Sequence, residues 1–151
     1  MRDYLDLHLT EQEISAVSSL GLAHLGDCVW ELMVRSWLIS GGATTNRRLH
    51  AETVAHVSAA AQAAAAAALA PEFTEAERAV YRRGRNAHVH SMPRGADPED
   101  YHAATALECL FGWLYLHGRR ERLNQLFALA FPAGAETAET GEAEARGSKR
   151  A

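Results

Sequence analysis

His24-Leu25-Gly26-Asp27-Cys28-Val29-Trp30-Glu31 lies inside a run, Leu22 to Ile39, that is apolar almost all the way round a helix. The polar exceptions are His24, Asp27, Glu31 and Arg35, with Ser36 beside them. Spacings of three, four and four place the first four on one narrow stripe of a 3.6-period helix. Asp27 is therefore expected in a thin polar seam on a helix whose other faces demand burial. A carboxylate there needs a partner, a cation or a proton, because an unpaired buried charge is costly.

A second segment repeats the pattern. Tyr101 to Leu116 is again mostly apolar, and its stripe of exceptions is His102, Thr105, Glu108 and Gly112, with Glu108 the sole acid. Two buried helices, each with one acid in a polar seam, are what a cation site shared between helices needs. Gly26 and Gly112 carry no side chain and would let the two backbones approach closely. The residues alone leave open a second account, in which each acid pairs with a nearby arginine or caps another helix.

Leu22-Ala23-His24-Leu25-Gly26-Asp27-Cys28-Val29-Trp30-Glu31 resembles the Gly-Asp signature helix of ribonuclease III domains. Leu107-Glu108-Cys109-Leu110-Phe111-Gly112-Trp113-Leu114-Tyr115-Leu116 resembles the second signature helix of that family. Between them, Val57-Ser58-Ala59-Ala60-Ala61-Gln62-Ala63 and Arg82-Arg83-Gly84-Arg85-Asn86-Ala87 resemble motifs of the short bacterial subgroup called Mini-ribonuclease III. The resemblance runs from roughly Leu20 to Phe127. Full-length ribonuclease III carries further acids one and two turns before the aspartate and one turn before the glutamate. Leu20, Ala23 and Thr105 stand at those positions here, a thinning the Mini subgroup shares. Asp27 and Glu108 are the acids that carry over.

The resemblance implies an all-α, single-domain, Mg²⁺-dependent endoribonuclease that cuts double-stranded RNA. It further implies a role in maturing a ribosomal RNA precursor, as a homodimer with one strand cut per protomer. Asp27 and Glu108 would be the catalytic and metal-holding residues. Hydrolysing a phosphodiester requires an activated water and a stabilised leaving oxygen, and Mg²⁺ held by a few hard oxygen ligands supplies both. Glu31, one turn from Asp27, is expected to pair with Arg35 across the i,i+4 spacing. Two rivals to the catalytic reading are an inactive RNA-binding or ribosome-associated protein with the same fold, and a helical hydrolase of small phosphorylated molecules.

The length of 151 residues fits one domain with a real core. The expected division is a catalytic domain over 1–132 and a disordered tail over 133–151. The tail contains no Val, Ile, Leu, Met, Phe, Tyr or Trp to offset the entropy of ordering. Asp27, Glu31 and Arg35 interrupt the best candidate for a membrane span, and Met1-Arg2-Asp3-Tyr4-Leu5-Asp6 lacks a signal-peptide layout. A reducing cytoplasm is expected, with Cys28 and Cys109 as small residues facing the packed core.

A net charge of −4 argues weakly against nucleic acid, but its distribution does not. Between Arg78 and Ala96 lie five arginines and no acid. The expected RNA contacts are Arg47, Arg48, Arg82, Arg83, Arg85, Asn86, His88 and Arg94, because duplex RNA is recognised mainly through phosphates and 2′-hydroxyls. A solvated helix face is the bland alternative. There is no room for a separate double-stranded-RNA-binding domain, so specificity beyond duplex shape would come from the loop His88 to Arg94 or from a helper such as a ribosomal protein. His88-Val89-His90 is a weak zinc candidate, with no Cys, Asp or Glu close by.

Helices are expected after Thr10, from Leu22 to Ile39, from an Asn46 cap through the alanine run to Leu69, and from a Thr74 capping box to Arg85. A loop is expected over His88 to Pro98, then the second seam helix, then a short helix over Arg119 to Ala130.

Overall fold

A computed structural model describes residues 1–89 and 91–132. Among the described residues the secondary structure is helical throughout, with no strand. The helices are α1 (Glu11–Ser15), α2 (Ser19–Ser40), α3 (Asn46–Val57), α4 (Ala59–Leu69), α5 (Glu75–Arg85), α6 (Pro98–Leu116) and α7 (Arg120–Ala130), with a 3₁₀ turn at Ala70–Glu72. The expected tail, 133–151, lies outside the described residues.

Local chemistry sets the boundaries. Thr10 and Thr74 each close a reciprocal capping box, with Glu13 and Glu77 respectively. Asp97 accepts from the backbone N–H groups of Glu99 and Asp100, and Pro98 fills the first position of α6. Gly42 (φ 95°) and Gly118 (φ 66°) supply the left-handed turn beyond the ends of α2 and α6.

Three expectations need correction. The segment from Asn46 to Leu69 is two helices, because Ser58 leaves helical geometry (φ −64°, ψ 153°) and its hydroxyl accepts from the Ala61 N–H to start α4. The cap of α3 is Thr45, whose side chain accepts from the Arg48 N–H, one residue earlier than expected. Cys28 is exposed, whereas Cys109 is buried as expected, and burial pushes its thiol up to about 11.

The centre of the molecule is α6, which packs against α2, α5, α4 and α7. Leu107, Leu110, Phe111 and Leu114 are buried along it. Trp30 of α2 is 1% exposed and meets Phe111 edge to face at 5.0 Å, while its indole N–H donates to the His56 carbonyl (3.1 Å). A large aromatic at this position ties α2, α6 and the end of α3 into one core. The first residues lie against the end of α6 and the start of α7, where the Tyr115 hydroxyl and Arg120 donate to backbone carbonyls of Tyr4 and Leu5.

Candidate active site

Two glycines fix the crossing of α2 and α6. A Cβ built on Gly26 would lie 1.7 Å from the Glu108 carbonyl oxygen, and one on Gly112 would lie 2.0 Å from that of Leu22. No side chain fits either place, so the backbones touch there. The contact sets Asp27, the residue after Gly26, beside the turn of α6 that carries Glu108. Gly84 of α5 does the same on another face of α6, where a Cβ would come within 2.6 Å of the Cys109 Cβ. The central helix is thus gripped closely on two sides, and Glu108 has little freedom to drift relative to Asp27.

The electrostatics of the pair are unsatisfied. Burial, and then the charge of Asp27, push the Glu108 carboxyl up to about 7; the side chain of Gln62, acting as a hydrogen-bond donor, opposes this. Asp27 is more open to solvent, but partial desolvation and the neighbouring Glu31 raise its carboxyl too, against the pull of His24. None of the ion pairs among the described residues includes Asp27 or Glu108. Arg35, the arginine on the same stripe of α2, is occupied by Glu31, as the i,i+4 spacing predicts.

Two neighbouring carboxylates that no ion pair among the described residues satisfies suit a hydrated divalent cation. Among the described residues there is no cluster of three or more His, Cys, Asp or Glu able to hold a metal. That excludes a closed zinc cage built from them. Mg²⁺ is different, because it retains several waters and is held through one or two carboxylates. The donor set therefore fits Mg²⁺.

The basic residues divide. Arg47, Arg82, Arg83 and Arg94 are exposed. Arg48 is tied to Glu52 and Arg85 to Glu99, so part of their charge is already spent. Arg85, Asn86 and His88 come together around a recess of about 340 Å³, also lined by Met92 and His102. His102 was not among the expected RNA contacts, although it belongs to the same polar stripe as Glu108. Its Nδ1 is buried without a hydrogen-bond partner.

The model of the ribonuclease III domain matches residues 20–119. The chain belongs to the ribonuclease III family. Its relatives include the Mini-ribonuclease 3 of Symbiobacterium thermophilum, 45% identical over 74% of this chain and 85% of that protein. The Mini-ribonuclease 3 of Enterococcus faecalis is 39% identical over 92% of this chain and 99% of its own length. A crystal structure of protein FN1578 from Fusobacterium nucleatum superimposes with a TM-score of 0.72 at 28% identity, covering 79% of this chain and 97% of that one. Membership in the Mini-ribonuclease III branch makes this chain an endoribonuclease of double-stranded RNA, the activity expected from its motifs.

Proposed function

We propose that the chain hydrolyses double-stranded RNA with Mg²⁺ held between Asp27 and Glu108, as a homodimer, in the maturation of a ribosomal RNA precursor. One observation carries the catalytic assignment. Two carboxylates are brought together by a glycine–glycine helix crossing, and no ion pair among the described residues includes either of them.

When bound, the ion supplies Lewis acidity to the attacking water and to the departing oxygen. Asp27 and Glu108 hold it. The exposed Arg47, Arg82, Arg83 and Arg94 bind phosphates, and Asn86 and His88, which line the recess, contribute hydrogen bonds. Arg48 and Arg85 join them by exchanging a carboxylate for a phosphate. A duplex read through its backbone suits this set, since no residue in it requires a particular base. Sequence preference then falls to the loop His88 to Arg94 or to a ribosomal-protein helper.

The outward face of α2 supports the homodimer. Leu25, Cys28, Leu32 and Ile39 share one stripe; Leu32 is 61% and Ile39 57% exposed, and Cys28 is open as well. The fused aromatic core leaves Trp30 buried and Trp37 and Trp113 half-buried, so this aliphatic stripe supplies the apolar surface for a second copy. Among the described residues no single helix is long and apolar enough to cross a membrane.

The test is cleavage of duplex and single-stranded RNA, with and without Mg²⁺, by wild type, Asp27→Asn and Glu108→Gln. The expected result is duplex cleavage only with Mg²⁺, lost in both variants while duplex binding persists. A folded Glu108→Gln protein that cuts at the wild-type rate would overturn the assignment. An inactive binding protein would cut in no condition. A small-phosphate hydrolase would lack the steep loss of RNA binding with salt that many phosphate contacts produce.

A further inference from the structure

Gln62 is the polar residue that core packing does not explain. It lies at the end of the first turn of α4, in an otherwise all-alanine stretch, and is 1% exposed. A buried amide in such a setting costs free energy unless it is fully hydrogen-bonded. Its Nε2 is nevertheless buried without a partner of normal hydrogen-bond geometry. Helix α4 packs on α6, and the polar group that Gln62 meets there is the Glu108 carboxylate. Only the amide nitrogen of a glutamine can donate, and a carboxylate only accepts. The pairing therefore has one orientation, Nε2–H toward Glu108.

An apolar side chain of similar size would fill the same space without an orphaned donor. The amide is thus out of place as packing and well placed as a support. We infer that Gln62 is a positioning residue that holds the Glu108 carboxylate facing Asp27, so that the two can share one divalent cation. The inference rests on the reading of Asp27 and Glu108 as the cation site. In that arrangement one Glu108 oxygen takes the amide N–H and the other remains free for the ion. Outer partners of this kind typically change metal affinity 10–100-fold when removed.

Mn²⁺ binding to the full chain without RNA, followed by the loss of the free-ion EPR signal, tests this. Wild type, Gln62→Met, Gln62→Leu and Glu108→Gln are compared, each with a thermal melt. Both apolar variants should fold with a melting temperature at or above wild type, because the amide makes no hydrogen bond of normal geometry in the metal-free protein and an apolar side chain fills the same space. They should bind Mn²⁺ about 10–100-fold more weakly, with the Mg²⁺ midpoint of cleavage moved up by a similar factor. Wild-type Mn²⁺ affinity in either apolar variant, whatever its melting temperature, would make Gln62 a core residue and overturn the inference, provided Glu108→Gln loses the ion. Should Glu108→Gln also bind Mn²⁺ as wild type does, the cation site itself is wrong and the inference falls with it.

Discussion

Two acids of this chain meet the same problem, burial on a helix, and resolve it in opposite ways. Glu77 of α5 is 4% exposed. Arg122 donates to it through Nε (2.8 Å) and Nη2 (3.0 Å), and the Thr74 N–H donates at 2.8 Å. Burial alone would push its carboxyl up; the Arg122 and Thr74 hydrogen bonds outweigh that and hold it below the usual range. Glu108 has a second acid where Glu77 has an arginine, and its carboxyl rises to about 7. A satisfied acid is a structural clamp, whereas an unsatisfied one stores a demand for positive charge. The contrast separates scaffold from site within one small domain.

Breaking the clamp should have the largest effect on stability. Arg122→Ala strands a buried carboxylate, so unfolding free energy should fall by about 3–5 kcal/mol, with cleavage per folded molecule unchanged. Denaturant melts alongside single-turnover cleavage check both halves; a loss of cleavage without a loss of stability would put Glu77 in the site. Gly26→Ala comes next. A Cβ that would meet a backbone oxygen at 1.7 Å must push the helices apart, at a cost of about 3 kcal/mol. Unlike Arg122→Ala, it should also lower cleavage by the folded protein, since it separates Asp27 from Glu108.

Leu32→Glu should shift the proposed dimer toward monomer by about 100-fold in dissociation constant, as loss of a buried interface anchor does. Sedimentation across a concentration series reads this out, and an unchanged state would move the interface off α2. Smallest is the effect of the RNA grip. Replacing Arg82 and Arg83 by Ala should flatten the logarithmic salt dependence of duplex binding by roughly one unit per lost phosphate contact. Arg85→Ala should change it less, because Glu99 already holds that guanidinium.

Much of this was legible in the sequence because helix burial leaves a periodic trace. The stripes through Asp27 and Glu108 follow from spacing, and Gly26 and Gly112 stand out as gaps where two apolar helices meet. The Glu31–Arg35 pair is local and therefore readable. What escaped lacks local signal. Glu77 and Arg122 are 45 residues apart, and nothing near either announces the other. The break at Ser58 is hidden because the residues after it are strong helix formers, and only its capping hydroxyl marks the start of α4. Cys28 was expected inside because it lies about 100° round the helix from the seam acid Asp27; an apolar stripe that faces outward looks the same in sequence as one that faces a core. Gln62 was visible within a motif, but its importance depends on α4 lying against α6.

The contrast between the two acids is tested most directly by melting wild type and Glu108→Gln from pH 5 to 8, with and without Mg²⁺. The folded Glu108 carboxyl titrates near 7 against an ordinary value of 4.5, so the folded state binds the extra proton between those limits. Its contribution to stability is full below about pH 4.5 and is lost as pH rises through 7. Without Mg²⁺, the melting temperature of wild type relative to Glu108→Gln should therefore fall as pH is raised. Adding Mg²⁺ at pH 8 should restore wild type and leave Glu108→Gln unmoved. A Glu108→Gln protein less stable than wild type at pH 8 without Mg²⁺, or a wild type indifferent to the ion, would contradict the account.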